Sequence, residues 1–167
     1  MTLENLNQLG ADAAKAELFK CCGSARWSDE LTALRPFASK EILLRQSDRI
    51  WASLTESDSL EAFSHHPKIG DLKSLEKKFA STKEWAGKEQ SGVDPADQQT
   101  LLALAEGNQA YEKKFGYIFI VCASGKTAAE MLELLNKRMH NDPALELQNA
   151  RAEQNKITHL RLEKLLA

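Results

Sequence analysis

The segment Tyr117-Ile-Phe-Ile-Val-Cys-Ala123 decides the fold, because it is the apolar stretch whose pattern is not helical. It is short, rich in β-branched and aromatic residues, and has Gly116 and Gly125 close to its two ends. These features favour an extended conformation over a buried helix. The sequence offers it no partner strand, so its backbone N–H groups need other acceptors.

The sequence on both sides of this segment has an apolar period close to that of an amphipathic helix. Asp94-Pro95 is a helix start signal, and Gly116 is expected to end that helix near Phe115. The predicted helices cover 12–22, Ser28 to before Pro36, Ser39 to about Leu54, Ser57 or Ser59 to His65, Asp71 to Phe79, 82–90, 95–115, 127–140 and Pro143 onwards. The sequence therefore predicts a single all-α domain over residues 1–167, with about eight or nine helices and one short extended segment.

The composition predicts a soluble intracellular protein that binds neither nucleic acid nor membranes. There are 22 Lys and Arg against 24 Asp and Glu, whereas nucleic acids require concentrated positive charge. No apolar run approaches the roughly 20 residues that span a bilayer, and the amino-terminal residues lack a secretion signal. The three cysteines, with Cys21 and Cys22 adjacent, favour a reducing compartment, so we expect a cytoplasmic location. The four histidines do not stand at metal-ligand spacing, so we expect no metal.

Gly125-Lys126-Thr127 resembles the end of a phosphate-binding loop, because it follows an apolar segment and precedes a helix. That loop has the pattern GxxxxGK[ST] and needs a glycine at position 120, where this chain has Ile120. Without that glycine the backbone cannot wrap around a phosphate. Nucleotide binding is therefore a minor hypothesis.

His65-His66-Pro67 contains the first candidate for acid–base chemistry. The proline keeps the residue before it out of the helical region, which places His66 on a rigid, non-helical joint. An imidazole there could act as an acid or a base near neutral pH. A loop histidine that only hydrogen-bonds the backbone is the more common interpretation of this spacing.

Two charged residues are further candidates. Glu89 lies near the end of a predicted helix, where the helix dipole disfavours a carboxylate unless another group holds it, and a histidine could do so. Arg161 has apolar neighbours in the last predicted helix, so it could emerge at the edge of the core and bind a carboxylate with two N–H groups. The simpler interpretations are a solvated glutamate and a surface ion pair.

The order of these segments is more specific than any one of them. His66-Pro67-x-Ile-Gly, then Glu89-Gln90, then the apolar segment with its flanking glycines, then Leu160-Arg161-Leu162 resembles the 2-oxo-4-hydroxy-4-carboxy-5-ureidoimidazoline (OHCU) decarboxylases of urate breakdown. The resemblance covers essentially the whole chain and includes Asn7, Ala25-Arg26-Trp27 and Arg35-Pro36-Phe37.

The resemblance implies an all-α enzyme, usually a homodimer, that converts OHCU to (S)-allantoin without a metal or organic cofactor. It implies that the catalytic residues are His66, which directly precedes the proline, Glu89 and Arg161. It also implies substrate contacts from Pro67, Ala86, Gly87, Lys88, Glu89, Gln90, Phe119, Ile120, Val121, Cys122 and Ala123. Many members of the family have a serine where this chain has Ala86. A helical interaction module that has lost the chemistry is the alternative that this substitution favours.

Overall fold

The computed structural model describes residues 1–67, 72–79 and 95–167, and within these ranges the chain forms nine helices and no strand. This confirms the predicted all-α class. In the described part of the chain, no helix is long and apolar enough to cross a membrane. The helices are α1 (Leu3–Gln8), α2 (Ala11–Phe19), α3 (Ala25–Ala33), α4 (Lys40–Ser53), α5 (Glu56–Ser64), α6 (Leu72–Phe79), α7 (Pro95–Phe115), α8 (Ala128–Arg138) and α9 (Pro143–Leu165).

Several predicted helix ends are confirmed. The hydroxyl of Ser39 accepts a hydrogen bond from the Ile42 N–H at the start of α4, and Thr127 caps α8 in the same way. Gly116 follows α7 with a φ of 84°, a conformation that favours glycine. Residues 118–123 belong to neither a helix nor a strand. The predicted cap at Asp71 and the predicted helix over 82–90 lie outside the described residues.

Two predicted helix starts are wrong, and α1 was not predicted at all. Ser24, not Ser28, caps α3 by accepting from the Trp27 N–H, while Ser28 is buried and donates to a backbone carbonyl of the same helix. Thr55, not Ser57 or Ser59, caps α5, because Asp58 returns a hydrogen bond to the Thr55 N–H and completes a capping box. In each case the observed cap lies two to four residues before the predicted one.

The described chain divides into two compact units. Unit 1 comprises residues 1–66 and 151–167, and therefore contains α1 to α5 and the carboxyl-terminal part of α9. Its core includes large side chains without exposed surface, which are Leu6, Leu18, Trp27, Leu31, Leu43, Phe63 and Leu162. Burial of such side chains provides the main stabilisation of the unit.

Polar side chains in unit 1 also hold α1 and the segment 35–37 together through hydrogen bonds to backbone groups. The Asn7 amide donates to the Phe37 carbonyl oxygen and accepts from the Phe37 N–H, both at 2.9 Å. The Arg35 guanidinium donates to the carbonyl oxygens of Leu6 and Leu9 at 2.6 and 2.7 Å, which satisfies the end of α1. These contacts give Asn7 and Arg35 structural roles.

The carboxyl-terminal part of α9 packs against α4 within unit 1. The indole N–H of Trp51 donates to the Arg151 carbonyl oxygen at 3.0 Å, and the Arg151 guanidinium donates back to the Trp51 carbonyl oxygen at 2.8 Å. Asp48 accepts from Asn155 at 2.8 Å and pairs with His159 at 2.5 Å. Reciprocal contacts of this kind fix the register of the two helices.

Unit 2 comprises residues 67–150, with α6, α7, α8 and the first turns of α9. One cluster of its core contains Leu75, Leu101, Leu104, Ala105, Ala128 and Met131, and a second contains Tyr111, Phe119 and Leu135. Gly107 in α7 lies directly against Leu135 of α8, since a Cβ at Gly107 would lie 2.3 Å from Leu135 Cδ2. The absence of a side chain there lets the two helices approach closely.

A buried polar cluster in unit 2 is centred on Glu146 in the first turn of α9. Oε1 of Glu146 accepts from the Tyr111 hydroxyl and from Nε of Arg138, both at 2.6 Å. Oε2 accepts from Asn141 at 3.0 Å. Burial raises the pKa of the Glu146 carboxyl, but the hydrogen bonds from Arg138, Tyr111 and Asn141 outweigh it and hold this pKa below its usual value.

We expect Glu146→Gln to lower the free energy of unfolding at pH 7 by about 3–5 kcal/mol, because it leaves the Arg138 charge buried without its partner. The pKa of Glu146 is lowered in the folded state, so its stabilising contribution is present above the unfolded pKa of about 4.3 and is lost as the pH falls below it. Urea denaturation at several pH values measures both effects. Glu133→Gln is the control, because the Glu133–Lys137 pair is exposed and is expected to contribute little. Equal losses in the two variants at pH 7 would contradict the prediction.

Candidate active site

His66 lies just beyond the carboxyl terminus of α5, at a joint between a helix and a proline. Its N–H donates to the Phe63 carbonyl oxygen at 3.2 Å, which continues the last turn of the helix, and Pro67 then prevents further helix. Its side chain is half-buried, and the ring atom Nε2 is hydrogen-bonded to Oε1 of Gln154. His66 is therefore held by a side chain of the core, unlike an ordinary solvated loop histidine.

The partner of His66 belongs to a buried polar network on α9. Gln154 is fully buried, and its amide nitrogen donates to the Thr158 hydroxyl at 3.2 Å. Thr158 in turn donates to the Gln154 carbonyl oxygen at 3.0 Å and is hydrogen-bonded to the Cys22 thiol. Burial raises the pKa of that thiol to about 11, so it is uncharged at neutral pH. The network presents uncharged hydrogen-bonding groups to the imidazole.

His65, the neighbouring histidine, has a different environment. Its ring lies edge-on to the Phe19 ring, with 5.0 Å between the ring centroids. It also covers Gly23, where an added Cβ would lie 2.5 Å from the His65 Cβ. His65 therefore packs against apolar groups, while His66 binds polar ones. This difference agrees with the choice of His66 as the candidate acid or base.

Arg161 lies on the same face of α9 as Gln154 and Thr158, because positions i, i+4 and i+7 share one face of a helix. Among the residues that the structure describes, its one hydrogen bond is long, from Nη1 to the Lys20 carbonyl oxygen at 3.5 Å. Its charge favours the thiolate of Cys21, but burial is the larger effect and raises the pKa of Cys21 to about 11. Most of the guanidinium is thus available to an anionic ligand.

The irregular segment from Phe119 to Ala123 is held by cations through its carbonyl oxygens. Nη1 of Arg138 donates to the Ile120 carbonyl oxygen at 2.7 Å, and the same guanidinium lies 4.5 Å from the centroid of the Phe119 ring. Nζ of Lys126 donates to the Cys122 carbonyl oxygen at 2.7 Å. Within the described ranges, the N–H groups of Phe119, Ile120, Val121 and Ala123 make no hydrogen bond. These donors are the ones that a polar ligand could use.

The hypothesis of a phosphate-binding loop at Gly125-Lys126-Thr127 is not supported by this geometry. The Lys126 ammonium is directed back to the Cys122 carbonyl oxygen, and the Thr127 hydroxyl is used as the cap of α8. Both groups that would bind a nucleotide phosphate and its magnesium ion have structural roles instead.

The predicted site residues that the structure describes are distributed over both units. His66 and Arg161 belong to unit 1, whereas Pro67 and the segment Phe119–Ala123 belong to unit 2. Ala86, Gly87, Lys88, Glu89 and Gln90 lie outside the described residues, so their part in the site stays a prediction. Across residues 1–67, 72–79 and 95–167, no group of three His, Cys, Asp or Glu side chains is arranged to hold a metal ion.

Gln154, which contacts His66, its partner Thr158, and Arg138, which contacts Ile120, were not singled out from the sequence. Each is a polar or charged residue of a helix, and such residues are usually exposed to solvent. The sequence signal that could have indicated Gln154 is its position seven residues before Arg161, which places both residues on one helix face.

Known proteins similar to this chain cover nearly its whole length. The model of the OHCU decarboxylase family matches residues 7–163. The uric acid degradation bifunctional protein TTL of Arabidopsis thaliana is 38% identical over 160 residues, which are 96% of this chain and 48% of that protein. The 2-oxo-4-hydroxy-4-carboxy-5-ureidoimidazoline decarboxylase of Amia calva is 31% identical over 135 residues, which are 79% of this chain and 75% of that protein.

A solved structure is similar in both sequence and fold. It is the crystal structure of OHCU decarboxylase in the presence of (S)-allantoin, with a TM-score of 0.73 and 40% sequence identity. The match covers 90% of this chain and 96% of that chain. The chain spans about half the length of the Arabidopsis relative.

Proposed function

This chain belongs to the OHCU decarboxylase family, and from that membership we propose that it decarboxylates OHCU to (S)-allantoin in the breakdown of urate. Two relatives support the proposal by name. The Amia calva protein is a decarboxylase of this compound, and the similar crystal structure is of an OHCU decarboxylase in the presence of (S)-allantoin. We further propose that His66, Glu89 and Arg161 are the catalytic residues.

The observation that carries the proposal is the environment of His66. Its imidazole is half-buried, follows a rigid joint at Pro67 and is held by a hydrogen bond to the buried amide of Gln154. A positioned imidazole of this kind is suited to proton transfer near neutral pH. Arg161 lies on the same face of α9 as that amide, and its guanidinium makes a single long hydrogen bond among the described residues, so it can bind an anionic ligand.

The proposed reaction needs no organic electron sink, because the substrate contains one. OHCU has an imine next to the carbon that bears the hydroxyl and the carboxylate. When the bond to the carboxylate breaks and CO₂ leaves, the electron pair moves toward that imine. One proton taken up from solvent balances the lost negative charge, and the hydroxyl becomes a carbonyl as its proton is removed. The tasks left to the protein are to position the substrate and to transfer protons.

We assign the binding of the substrate to charged and backbone groups. Arg161 presents two parallel N–H groups, which suit a carboxylate or a similar planar anion. The N–H groups of Phe119, Ile120, Val121 and Ala123 suit the carbonyl oxygens of the ring and of its ureido group. Pro67 and residues 86–90 complete the proposed substrate contacts.

Proton transfer is assigned to His66, with Glu89 helping to orient the ring. His66 removes the proton of the substrate hydroxyl, and delivery of a proton to one face of the intermediate gives a single enantiomer. Positioned acid–base groups of this sort typically accelerate a reaction by about 10²–10⁴-fold. Because OHCU also decays without an enzyme, control of stereochemistry is the more specific signature of catalysis.

We also propose that residues 1–167 act as one OHCU decarboxylase domain and that the protein is a cytoplasmic homodimer. The family model runs through both compact units, which supports a single functional domain. Light scattering coupled to gel filtration tests the dimer: the measured mass is expected to be twice the chain mass of 18.6 kDa. A mass equal to one chain at micromolar concentration would contradict it.

The central prediction concerns the two adjacent histidines. With freshly generated OHCU, circular dichroism is expected to show rapid formation of one enantiomer of allantoin by the wild-type protein. His66→Ala is expected to abolish this signal, because the proton-transferring group is lost. His65→Ala is the matched control and is expected to keep most of the activity, because that ring packs against Phe19 and Gly23. A wild-type rate equal to that of buffer would favour the interaction module, and equal losses in the two variants would show that His66 is the wrong choice.

Arg161→Lys tests the proposed binding of the substrate. Lysine keeps the charge but loses the two parallel N–H groups, so kcat/KM is expected to fall at least about tenfold, mainly through KM, which corresponds to about 1.4 kcal/mol. Steady-state kinetics measure the change. Arg45→Lys on the exposed face of α4 is the control and is expected to have wild-type kinetics. An unchanged KM for Arg161→Lys would remove Arg161 from the site.

A further inference from the structure

The peptide unit between Ile120 and Val121, in unit 2, is hydrogen-bonded to a buried guanidinium through its carbonyl oxygen. Nη1 of Arg138 donates to the Ile120 carbonyl oxygen at 2.7 Å. The unit is trans, so its N–H, which belongs to Val121, points away from the cation. That N–H makes no hydrogen bond among the described residues. One end of the peptide unit is thus bonded to a positive charge, while the other end is available to a ligand.

The peptide unit between Cys122 and Ala123 repeats this arrangement. Nζ of Lys126 donates to the Cys122 carbonyl oxygen at 2.7 Å. The Ala123 N–H lies at the opposite end of the unit and makes no hydrogen bond within the described ranges. A cation that binds a carbonyl oxygen polarises the whole peptide unit, because hydrogen bonds in a chain strengthen one another. The N–H groups of Val121 and Ala123 are therefore expected to be stronger donors than those of an ordinary loop.

Contacts within unit 2 hold both cations in place. Nε and Nη2 of Arg138 each lie 2.6 Å from Oε1 of the buried Glu146 carboxylate, and this leaves Nη1 for the segment. The same guanidinium lies 4.5 Å from the centroid of the Phe119 ring. Lys126 is also bound to the segment through its backbone, since its N–H donates to the Ala123 carbonyl oxygen at 3.1 Å. Both cations are therefore fixed relative to the peptide units that they bind.

The proposed reaction places negative charge on an oxygen that suits such donors. The imine nitrogen of OHCU is bonded to the carbon of the 2-oxo group. The electron pair that the departing CO₂ leaves behind is therefore shared between that nitrogen and the carbonyl oxygen of the ring. N–H donors that are already aimed at this oxygen bind it more strongly in the transition state than in the substrate, which raises kcat.

We propose that Arg138 and Lys126 are positioning residues, which hold and polarise two peptide units so that the N–H groups of Val121 and Ala123 stabilise the negative charge on the ring carbonyl oxygen of the substrate. The role in catalysis rests on the proposed decarboxylase function, whereas the polarisation of the two N–H groups is a property of the chain itself. Each cation acts through the opposite end of a peptide unit, so it does not have to touch the substrate.

Lys126→Met is the main test, because Lys126 is half-buried and its removal leaves the contacts between Arg138 and Glu146 in place. We expect kcat to fall about tenfold while KM changes little. The loss is smaller than the roughly 10²–10³-fold cost of deleting an oxyanion donor, because the Ala123 N–H remains. Lys126→Arg is expected to restore most of kcat, since a guanidinium can donate to the same carbonyl oxygen.

Lys137→Met is the matched control for these kinetics. Lys137 is exposed on α8 and pairs with the exposed Glu133, so wild-type kcat and KM are expected. A wild-type kcat in Lys126→Met, or a fall in kcat of the same size in Lys137→Met, would overturn the positioning role of Lys126.

NMR of the ligand-free, full-length protein tests the polarisation without any substrate. A hydrogen bond from a cation to a carbonyl oxygen deshields the amide nitrogen of the following residue. Lys126→Met is therefore expected to move the nitrogen-15 signal of the Ala123 amide to lower frequency, and Lys137→Met is expected to leave it in place. An unchanged Ala123 signal in Lys126→Met would show that the ammonium does not polarise this peptide unit.

Arg138→Lys tests the second cation. Lysine keeps a charge for Glu146, but it lacks the planar fork that also reaches the Ile120 carbonyl oxygen. The nitrogen-15 signal of the Val121 amide is therefore expected to move to lower frequency, and kcat is expected to fall with little change in KM. Wild-type signals and kcat in Arg138→Lys would overturn the role of Arg138.

The two measurements separate this proposal from the proposed function. If Arg138→Lys does not fold, Lys126→Met still decides the proposal, because that side chain lies outside the Glu146 cluster. If the wild-type protein does not decarboxylate OHCU, the proposed function fails and the catalytic role fails with it. The amide signals of Val121 and Ala123 then still decide whether the two cations polarise their peptide units.

Discussion

The buried carboxylate of Glu146 is the constraint on which unit 2 depends. A buried charge is costly unless it is paired and hydrogen-bonded. Here α9 carries the Glu146 carboxylate, and α7 and α8 supply the hydrogen-bond donors Tyr111 and Arg138. Tyr111 and Nε of Arg138 both donate to Oε1, and Nη1 of Arg138 donates to the Ile120 carbonyl oxygen. Ion pairs of this kind contribute less to stability than to the choice of one arrangement. In this chain, the arrangement chosen is the one that fixes the backbone of residues 119–123.

That anchoring explains how an irregular segment can persist in an all-α protein. The segment has no strand to pair with among the described residues, so its backbone needs partners from elsewhere. Arg138 and Lys126 bind the Ile120 and Cys122 carbonyl oxygens, and the Phe119 ring packs on the same guanidinium. Two carbonyl oxygens of the segment are thereby hydrogen-bonded within the protein. The N–H groups of the segment are the groups that we propose the substrate binds.

The sequence predicts the helices well where a single residue type dictates the backbone. Pro95, Pro143 and Gly116 mark real helix ends, and Ser39 and Thr127 are real caps. It fails where several candidates compete: Ser24 and Ser28 are both buried, and they differ in that the Ser24 hydroxyl accepts from the Trp27 N–H whereas the Ser28 hydroxyl donates to the Ala25 carbonyl oxygen. Burial is a tertiary property, which is why Arg138, Glu146 and Gln154 could not be identified as buried polar groups from the sequence. The site residues that were predicted came from the resemblance to a family, and spacing alone left each of them with a simpler interpretation.

The two adjacent histidines illustrate how environment separates residues that the sequence cannot distinguish. Both follow α5 within one turn, and the imidazole is the same in each. His65 remains exposed, while its Cβ lies against Gly23 and its ring lies edge-on to Phe19. His66 is half-buried and contacts α9, where its Nε2 is hydrogen-bonded to the side chain of the buried Gln154. Burial and contacts therefore separate two neighbouring histidines that their spacing in the sequence cannot separate, and the half-buried ring at position 66 is the one that is hydrogen-bonded to a side chain of the core.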